Sequence, residues 1–342
     1  MREGRAPLCS MRFSWWREGM GNVSPASAAN MAGAPVEVWR GCANAWECDH
    51  VGHLNTRYYV ARVEQALVTL QQRLGLKEAI DSAASHQLLV RAQHMRFLRE
   101  ARAGAALHAT GQILTWGRDE AVVLFLLHHS NSGQVAATFR LSLAHVERGS
   151  GRPVPWPEAS TRAARALTCE APGDAQPRSV SLEDTVVTAS LERARELGLR
   201  TTGLSAILPD QCDAHGNWRL SAFMGRVADS IPHLRNGEWR EVLQRTAPGS
   251  PQRVGSALIE FQTVHVRWPR VGDGCEVRSG LAGCTERVTY SSHWMLDPET
   301  GTPWAAVRTV GIALDLDARR SLPLTAEAQA AFRAASVPGL AL

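Results

Sequence analysis

The sequence predicts an α+β protein built from two similar copies of one structural unit. Two observations lead to this prediction. First, two separate stretches of the chain recur further on, in the same order. Second, each copy reads as one helix followed by several strands, which is the arrangement of α+β domains rather than of alternating βα units.

The repeat is clearest around a Cys-Asp pair. The stretch CDHVGHLNTRYYVARV at 48–63 aligns without a gap with CDAHGNWRLSAFMGRV at 212–227. A second pair is RPVPWPEASTRAARA at 152–166 and RSLPLTAEAQAAFRA at 320–334. The displacement is 164 residues in the first match and 168 in the second, so one four-residue insertion in the second copy explains the difference. Self-similarity at a fixed spacing indicates a duplicated unit.

Each copy begins with a short β-prone run, at 36–39 and at 201–208, and the Cys-Asp loop follows. Apolar residues then recur every three or four positions, which predicts a helix with one buried face. They are Tyr59, Val63, Ala66, Leu67 and Leu70 in copy one, and Leu220, Phe223, Val227 and Ile231 in copy two. Pro232 is expected to stop the second helix.

Strand-like runs follow the helix in both copies. They lie at 87–98, 107–116, 120–128 and 134–146, and again at 257–268, 275–282, 286–296 and 303–316. The last hairpin of each copy contains turn residues, at 131–133 and 297–301. Between the copies, 182–198 is expected to include a short helix.

Length and composition agree with two domains. The chain has 342 residues, of which 44% are hydrophobic and 20% charged, as expected for a globular protein with two domains of about 150 residues. We expect domains at 34–168 and 199–342, a linker at 169–198, and a disordered N-terminal extension at 1–33. No stretch approaches the roughly 20 apolar residues of a membrane-spanning helix.

Charge and cysteine content exclude several classes of protein. The net charge is +4, but the single lysine (Lys77) and the arginines are scattered among acids, so no nucleic-acid partner is expected. Seven cysteines without a C-x-x-C pair argue against a disulfide framework or a zinc cage and favour a reducing cytoplasm. His128 and His129 face opposite sides of a predicted strand, so neither a metal nor a cofactor is expected.

The pattern Trp-Glu-Cys-Asp-x-x-Gly-His-x-Asn-x-x-Tyr at 46–58 resembles the hotdog-fold acyl thioesterases, in both the 4-hydroxybenzoyl-CoA thioesterase-like and the acyl-ACP thioesterase-like branches. The segment at 152–158 is similar to the tail after the last strand in that family. The resemblance covers 36–166 and 200–334. It implies a tandem (double) hotdog, in which each copy wraps a curved antiparallel sheet around one helix. One chain would then supply both halves of a pseudo-dimer, with a homodimer as a further option.

Asp49 is the candidate catalytic carboxylate. It can activate water as a general base or attack the thioester carbonyl as a nucleophile, and both roles stay open. The alternative is that it only hydrogen-bonds the backbone of its own loop. Gly52 suits a positive φ or a close approach of substrate, or is an ordinary turn glycine. The turn leads into a helix whose first N–H groups, at about 53–58, would stabilise an oxyanion.

Four further residues complete the candidate site in copy one. His53 is expected to donate to the thioester oxygen or to position water, with a structural role as the alternative. Asn55 either caps the helix or orients the substrate carbonyl, as the resemblance to the acyl-ACP branch implies. Tyr58 and Glu64 are expected to contact substrate, although a solvated or paired Glu64 is the alternative.

Copy two departs from this pattern. It keeps Asp213 and Gly216, but Asn217, Arg219 and Ala222 occupy the positions of the histidine, asparagine and tyrosine. We therefore expect one working site, built around Asp49, with Asp213 and Arg219 in its walls. Arg219 either holds a phosphate of a pantetheine carrier or forms a surface ion pair.

These residues predict an acyl-CoA (or acyl-carrier) thioesterase that hydrolyses a thioester to a free acid and a thiol. A hotdog hydratase or dehydratase acting on enoyl or 3-hydroxyacyl thioesters is the second reading, although the Asp-x-Asn-Pro-x-His pattern of the hydratases is missing. A non-catalytic protein that binds acyl thioesters is the third. The sequence also lacks the G-x-S-x-G motif of α/β-hydrolase thioesterases.

Overall fold

The computed structural model describes residues 33–76, 81–182, 186–234 and 253–342. Lys77 and, except for Gly33, the predicted N-terminal extension lie outside the described residues. The strands are β1 Val36–Cys42, β2 His86–Phe97, β3 Ala106–Trp116, β4 Glu120–His129, β5 Val135–Glu147, β6 Arg200–Ala206, β7 Val254–His265, β8 Gly274–Cys284, β9 Thr289–Leu296, β10 Pro303–Asp315 and β11 Arg320–Leu322. The helices are α1 Thr56–Arg73, α2 Glu158–Arg165, α3 Leu191–Glu196, α4 Leu220–Leu234 and α5 Ala326–Ala334.

These strands form one antiparallel sheet with the order β1-β3-β4-β5-β2-β7-β10-β9-β8-β6, and β11 pairs with β10. Half one (β1, α1 and β2–β5) and half two (β6, α4 and β7–β10) have the same succession of strand, helix and four strands. The strand order of half two is the reverse of that of half one, so the two halves meet at β2 and β7. The prediction of an α+β fold is confirmed.

The junction between the halves contains buried polar pairs. β2 and β7 pair from Ala92 opposite Val264 to Arg96 opposite Glu260. His94 Nε2 lies 2.7 Å from Glu260 Oε1, and Gln93 Nε2 lies 2.7 Å from the Nε2 atom of His265. Because a buried polar group without a partner is costly, these two pairs favour one register between the halves.

Helix α1 forms as its sequence pattern predicts. Its buried residues recur every three or four positions and pack against the sheet; they are Tyr59, Val60, Val63, Ala66, Leu67 and Leu70. Asn55 caps its N-terminus, and Gly75, with φ +77°, ends the helix where an L-residue with a side chain would be strained.

The prediction that Pro232 stops α4 is wrong, because the described helix continues to Leu234 and contains the proline. A proline in the last turn removes one helical hydrogen bond and crowds the carbonyl four residues earlier, but the residues after it still follow the helical path.

The linker crosses the sheet on the face opposite the helices. Along β4, Val123, Phe125 and Leu127 face α1, whereas the alternating Leu124 and Leu126 pack with Ala175 of the linker. Side chains of the sheet also bind the linker backbone, as Gln262 Nε2 does at Ser181 O, 3.0 Å away. The short helix expected within 182–198 is α3. No helix among the described residues is long and apolar enough to cross a membrane.

The cores of the two halves differ at equivalent positions. Half one has the apolar set Val38, Ala66, Gly111, Phe125 and Leu141. Half two has Thr202, Ser230, Ser279, His293 and Thr309, which hydrogen-bond to one another through their side chains. The strand register supports the correspondence, since Gly111 pairs with Phe125 as Ser279 pairs with His293. At these five positions the packing between helix and sheet is therefore apolar in half one and polar in half two.

Candidate active site

The loop that carries Asp49 is a tight hairpin before α1. Cys48 and Leu54 form an isolated antiparallel bridge, and the Asp49 N–H donates to His53 O at 2.7 Å. Gly52 at the tip has φ +82°, and an added Cβ would meet no atom within 4 Å. The backbone conformation, rather than crowding, requires glycine here.

The Asp49 carboxylate has one occupied and one available oxygen. Its Oδ1 accepts from the N–H groups of Val51 and His53, each at 3.0 Å. No hydrogen bond to its Oδ2 is found among the described residues, and the side chain is partly buried. Asp49 therefore does hydrogen-bond the backbone of its own loop, which is the alternative role considered from the sequence. Only one of its two oxygens, Oδ1, takes part in these bonds.

The backbone before α1 exposes one N–H group. Asn55 Oδ1 caps the helix by accepting from Arg57 N at 2.9 Å. The N–H groups of His53, Leu54, Asn55 and Tyr58 all have acceptors: Asp49 Oδ1, Ala101 O, Glu47 O and Asn55 O. Among the described residues, no hydrogen bond from the Thr56 N–H is found. Of the N–H groups at 53–58 that the sequence predicts for an oxyanion site, the one without a partner among the described residues is that of Thr56. It lies at the positive end of the helix dipole.

His53 bridges the two halves. Its Nε2 lies 3.1 Å from Glu100 Oε1 and also contacts the Arg319 guanidinium, which donates to Val51 O at 3.2 Å. Burial lowers the pKa of His53, the Glu100 carboxylate opposes this, and the nearby Arg319 lowers it further; the net shift is downward. The imidazole is therefore largely neutral at pH 7.

Sequence reasoning missed Glu100 and Arg319. Glu100 follows β2, and Arg319 lies in the turn between β10 and β11, far from the motif in sequence. One signal is visible only in the structure: among the described residues other than glycine, Arg319 alone has a positive φ, 54°. Such a backbone conformation in a residue with a long side chain is uncommon, and here it accompanies a contact with the Asp49 loop.

The two tyrosines after Asn55 have different surroundings. The Arg57 guanidinium lies 6.0 Å from the ring centre of the partly buried Tyr58. Tyr59 is buried, its ring centre is 5.2 Å from that of Phe97, and its hydroxyl accepts from Ala101 N at 3.0 Å. Burial raises the pKa of Tyr59 to about 12. Tyr59 therefore stays a neutral structural group beneath the Asp49 loop.

Glu64 binds the other central helix. Its Oε1 accepts from Ser221 N at 3.0 Å and its Oε2 from Ser221 Oγ at 2.7 Å, in the first turn of α4. Burial raises the pKa of Glu64, although the hydrogen bonds from Ser221 partly offset this. These hydrogen bonds join it to α4 rather than to the Asp49 loop. A carboxylate from the other central helix thus binds the first turn of α4, and among the described residues no such carboxylate binds the first turn of α1.

The loop of half two has the same backbone hydrogen bonds to its aspartate as the Asp49 loop, but the second carboxylate oxygen is bonded differently. Asp213 Oδ1 accepts from His215 N at 2.8 Å and from Asn217 N at 2.9 Å, while its Oδ2 lies 3.4 Å from Asn217 Nδ2. Gly216 again has a positive φ, +78°. Both oxygens of Asp213 are thus engaged, and the side chain is exposed. Arg219 Nε donates to Cys212 O at 2.9 Å. This contact is neither a bound phosphate nor a surface ion pair, the two roles predicted for Arg219.

Metal ligands do not converge in the part of the chain that the structure describes. No group of three or more His, Cys, Asp and Glu side chains there could hold a metal ion. His128 Nε2 lies 3.0 Å from Thr110 Oγ1, and its ring stacks on His108 with ring centres 4.8 Å apart.

With this geometry in hand, comparison with known proteins identifies the first half. The family model described as the thioesterase-like superfamily matches residues 43–164, which include the Asp49 loop and α1. This part of the chain is therefore similar to the thioesterase-like superfamily. The predicted resemblance to acyl thioesterases is confirmed for this thioesterase-like half.

Two curated relatives carry the same activity in their names. An L-carnitine dehydrogenase/betainyl-CoA thioesterase of Rhizobium meliloti is 30% identical over 144 residues, which is 42% of this chain and 28% of that protein. A betainyl-CoA thioesterase of Pseudomonas aeruginosa is 29% identical over 108 residues, which is 32% of this chain and 68% of that protein. The chain therefore spans only about a quarter of the first of these relatives.

A solved structure extends the likeness of fold to both halves. A protein of Lactobacillus plantarum described as an oleoyl thioesterase matches 86% of this chain and 98% of its own, with a TM-score of 0.61 and 13% identity. At this identity the likeness concerns the fold alone. Since the match covers 86% of the chain, it includes residues of both halves.

Proposed function

We propose that the protein hydrolyses an acyl-CoA or acyl-carrier thioester to a free acid and a thiol, using one site built around Asp49. The observation that carries the proposal is that the loop before α1 holds both a carboxylate with one unbonded oxygen, Asp49 Oδ2, and a backbone N–H without an acceptor, that of Thr56, as far as the described residues show. Both lie in the part of the chain that the thioesterase-like family model matches. We also propose a tandem hotdog with domains at 34–168 and 199–342 and a linker at 169–198. The reversed strand order of the two halves supports it.

The reaction needs an attacking oxygen and a donor for the developing oxyanion. Asp49 Oδ2 either takes a proton from water, whose oxygen attacks the carbonyl, or attacks the carbonyl itself to form an anhydride that water then hydrolyses. In both routes the carbon–sulfur bond breaks, and the thiolate leaves and takes up a proton. Oδ1 remains tied to the loop and holds the side chain in place. General-base catalysis of this kind contributes about 10²–10⁴-fold. The Thr56 N–H donates to the carbonyl oxygen as negative charge develops there, and removal of one such donor costs about 10²–10³-fold.

Neutral His53 and the helix cap complete this proposed site. Because His53 is held by Glu100 and Arg319, its ring has a fixed place beside the loop, where it can position water or donate to the thioester oxygen. Asn55 acts through the helix: its cap fixes where α1 begins and hence where the Thr56 N–H points. Gly52 forms the turn of the loop, and Tyr58 forms one wall of the proposed substrate site.

In this proposal, half two supports the Asp49 site and has no catalytic centre of its own. Asp213 uses both oxygens on its own loop, and Glu64 fills the start of α4 where a second oxyanion would bind. We therefore assign Asp213, Arg219 and Glu64 to the framework rather than to contact with substrate.

The names of the curated relatives suggest an acyl group for the substrate. The curated relatives are named for betainyl-CoA, whose acyl group carries a quaternary ammonium, so betainyl-CoA is our first candidate substrate.

We place the protein in the cytoplasm because the six cysteines in the described regions are all free. We propose that the pairing of halves within one chain replaces a dimer of single hotdogs, and we invoke no nucleic-acid partner.

Release of free thiol from a panel of acyl-CoAs tests the function. The panel should contain betainyl-CoA, short and long saturated acyl-CoAs and one enoyl-CoA. We expect stoichiometric thiol and acid from at least one saturated substrate. Loss of the enoyl absorbance without thiol would instead indicate a hydratase, and binding without either product would indicate a non-catalytic acyl-binding protein.

A further inference from the structure

The turn of half two that carries Arg319 has a counterpart in half one. The Arg319 N–H donates to Asp315 O at 2.9 Å. In half one, the Gly151 N–H donates to Glu147 O at 3.0 Å. Arg319 and Gly151 are separated by 168 positions, the displacement of the second sequence match, and their φ angles are +54° and +68°. The left-handed residue of the turn is thus a glycine in half one and an arginine in half two.

This backbone conformation suits glycine and strains arginine. Residues with a side chain rarely adopt a positive φ, and those that do cluster where a contact at a functional site holds them. The contact here is with the Asp49 loop, because Arg319 donates to Val51 O at 3.2 Å and also reaches His53 Nε2. The side chain of a strained residue in half two therefore braces the loop of half one.

His53 and Arg319 occur together in one site, and both are replaced at the equivalent positions of the other half. Asn217 stands in place of His53, and Gly151 stands in place of Arg319. Asn217 Nδ2 donates instead to Gln87 Oε1 at 2.9 Å. The strained arginine is thus present in the turn that contacts a histidine and absent from the counterpart of that turn.

The contacts of His53 Nε2 determine which ring nitrogen carries the proton. A guanidinium donates hydrogen bonds and cannot accept them, so Nε2 accepts from Arg319 with its lone pair. Glu100 Oε1 lies 3.1 Å from the same nitrogen, but this contact does not have the geometry of a hydrogen bond. The single proton of the neutral imidazole then lies on Nδ1. No hydrogen bond from Nδ1 is found in the described regions, so this N–H is available to a ligand.

We propose that Arg319 is a positioning residue of the Asp49 site, which holds His53 as the Nδ1–H tautomer so that this N–H donates to the bound thioester. The inference rests on the proposed function and settles on one of the two roles that it gives His53. An imidazole with an occupied Nε2 and a protonated Nδ1 has no lone pair left to take a proton from water. Proton removal therefore falls to Asp49, and half two completes the site by supplying Arg319.

Long-range proton–nitrogen correlation spectra of the isotope-labelled full chain measure the tautomer directly. They distinguish a protonated ring nitrogen from one with a lone pair, and the signals of His53 are those missing from His53→Gln. At about pH 8, where an ordinary imidazole is neutral, we expect the Nδ1–H form in wild type. In Arg319→Ala, the partner left beside Nε2 is the Glu100 carboxylate, so the Nε2–H form should predominate.

Two further variants guard against an effect of misfolding. Arg319→Gly places the residue of half one in this turn, relieves its strain and should show the same change of tautomer. Arg253→Ala is the matched control, because Arg253 forms an exposed ion pair with Asp317 of the same turn, at 3.0 Å. It should keep the Nδ1–H form. The Nε2–H form in wild type, or one tautomer shared by wild type and both Arg319 variants, would overturn the proposal.

Thiol release from the acyl-CoA panel gives the second readout. Loss of the Nδ1–H donor should lower kcat of Arg319→Gly about tenfold or more, with KM within about twofold and Arg253→Ala like wild type. A changed tautomer with unchanged kcat would overturn the role of this N–H in the reaction. The spectra need no turnover, so they decide the tautomer even if no thioester of the panel is hydrolysed. Failure of the proposed function is thereby distinguished from failure of this inference.

Discussion

Asp49 and Asp213 hold the same place in two copies of one loop, yet their carboxylates are used differently. In both residues, Oδ1 accepts hydrogen bonds from two backbone N–H groups of the turn. In half two, Asn217 stands where His53 stands in half one, and its amide lies against the second oxygen. One side-chain difference thus separates a carboxylate that can accept a proton from one that only braces its loop.

At the same scale, Arg319 should set the pH dependence of activity through His53. Arg319 lowers the pKa of His53, so Arg319→Ala should raise that pKa and extend the protonated form to higher pH. If neutral His53 is the working form, the acid limb of the kcat/KM profile moves toward higher pH. The measurement is the pH–rate profile of the variant beside wild type.

Arg319→Lys provides the control, because it keeps the charge while changing the hydrogen bonds. We expect its acid limb to stay nearer to that of wild type than the limb of the alanine variant. Identical profiles for wild type and Arg319→Ala would show that His53 is only a structural contact between the halves.

At the scale of one element, the start of α1 links stability to activity. Asn55→Ala removes the side-chain acceptor for Arg57 N and should cost about 1 kcal/mol of unfolding free energy. Because the same cap sets the direction of the Thr56 N–H, kcat should fall by about tenfold or more. Denaturant unfolding and thiol release on the same preparation measure both effects.

Thr325→Ala is the matched change, since Thr325 caps α5 by accepting from Ala328 N at 3.2 Å. It should lose similar stability and leave kcat close to wild type. Equal loss of activity in both variants would mean that kcat follows global stability rather than the geometry of α1.

Elements were predictable from sequence where one local pattern determines them. The apolar spacing from Tyr59 to Leu70 defined α1, and the alternating runs gave the strands to within a few residues. Asn55 was recognisable as a cap by its type. What could not be predicted depends on the packing of distant segments: Glu64 reaches Ser221, and Arg319 reaches His53 across 266 positions. No local pattern encodes such contacts.

At the scale of the whole molecule, the junction between halves should be sensitive to acid. Burial lowers the pKa of His265 to about 3, so the imidazole stays neutral in the folded protein. The unfolded chain, with an ordinary pKa of about 6.5, then binds more protons between pH 6.5 and 3. Stability should therefore fall as the pH falls through this range, by up to about 1.4 kcal/mol per pH unit from this residue.

His265→Phe tests the contribution, because half one has Phe97 at the equivalent position. The slope of unfolding free energy against pH between 6.5 and 4 should be smaller for this variant than for wild type. The slope is the relevant quantity, since Gln93 also loses its partner in the variant. A slope equal to that of wild type would show that His265 titrates alike in the folded and unfolded chains.

The most direct test of a single thioesterase site is the rate of thiol release by Asp49→Asn beside Asp213→Asn, with equal thermal midpoints as the check of folding. We expect Asp49→Asn to lower kcat by at least about 10²-fold and Asp213→Asn to stay within about threefold of wild type. Near-normal turnover by Asp49→Asn, or an equal loss in the two variants, would contradict it.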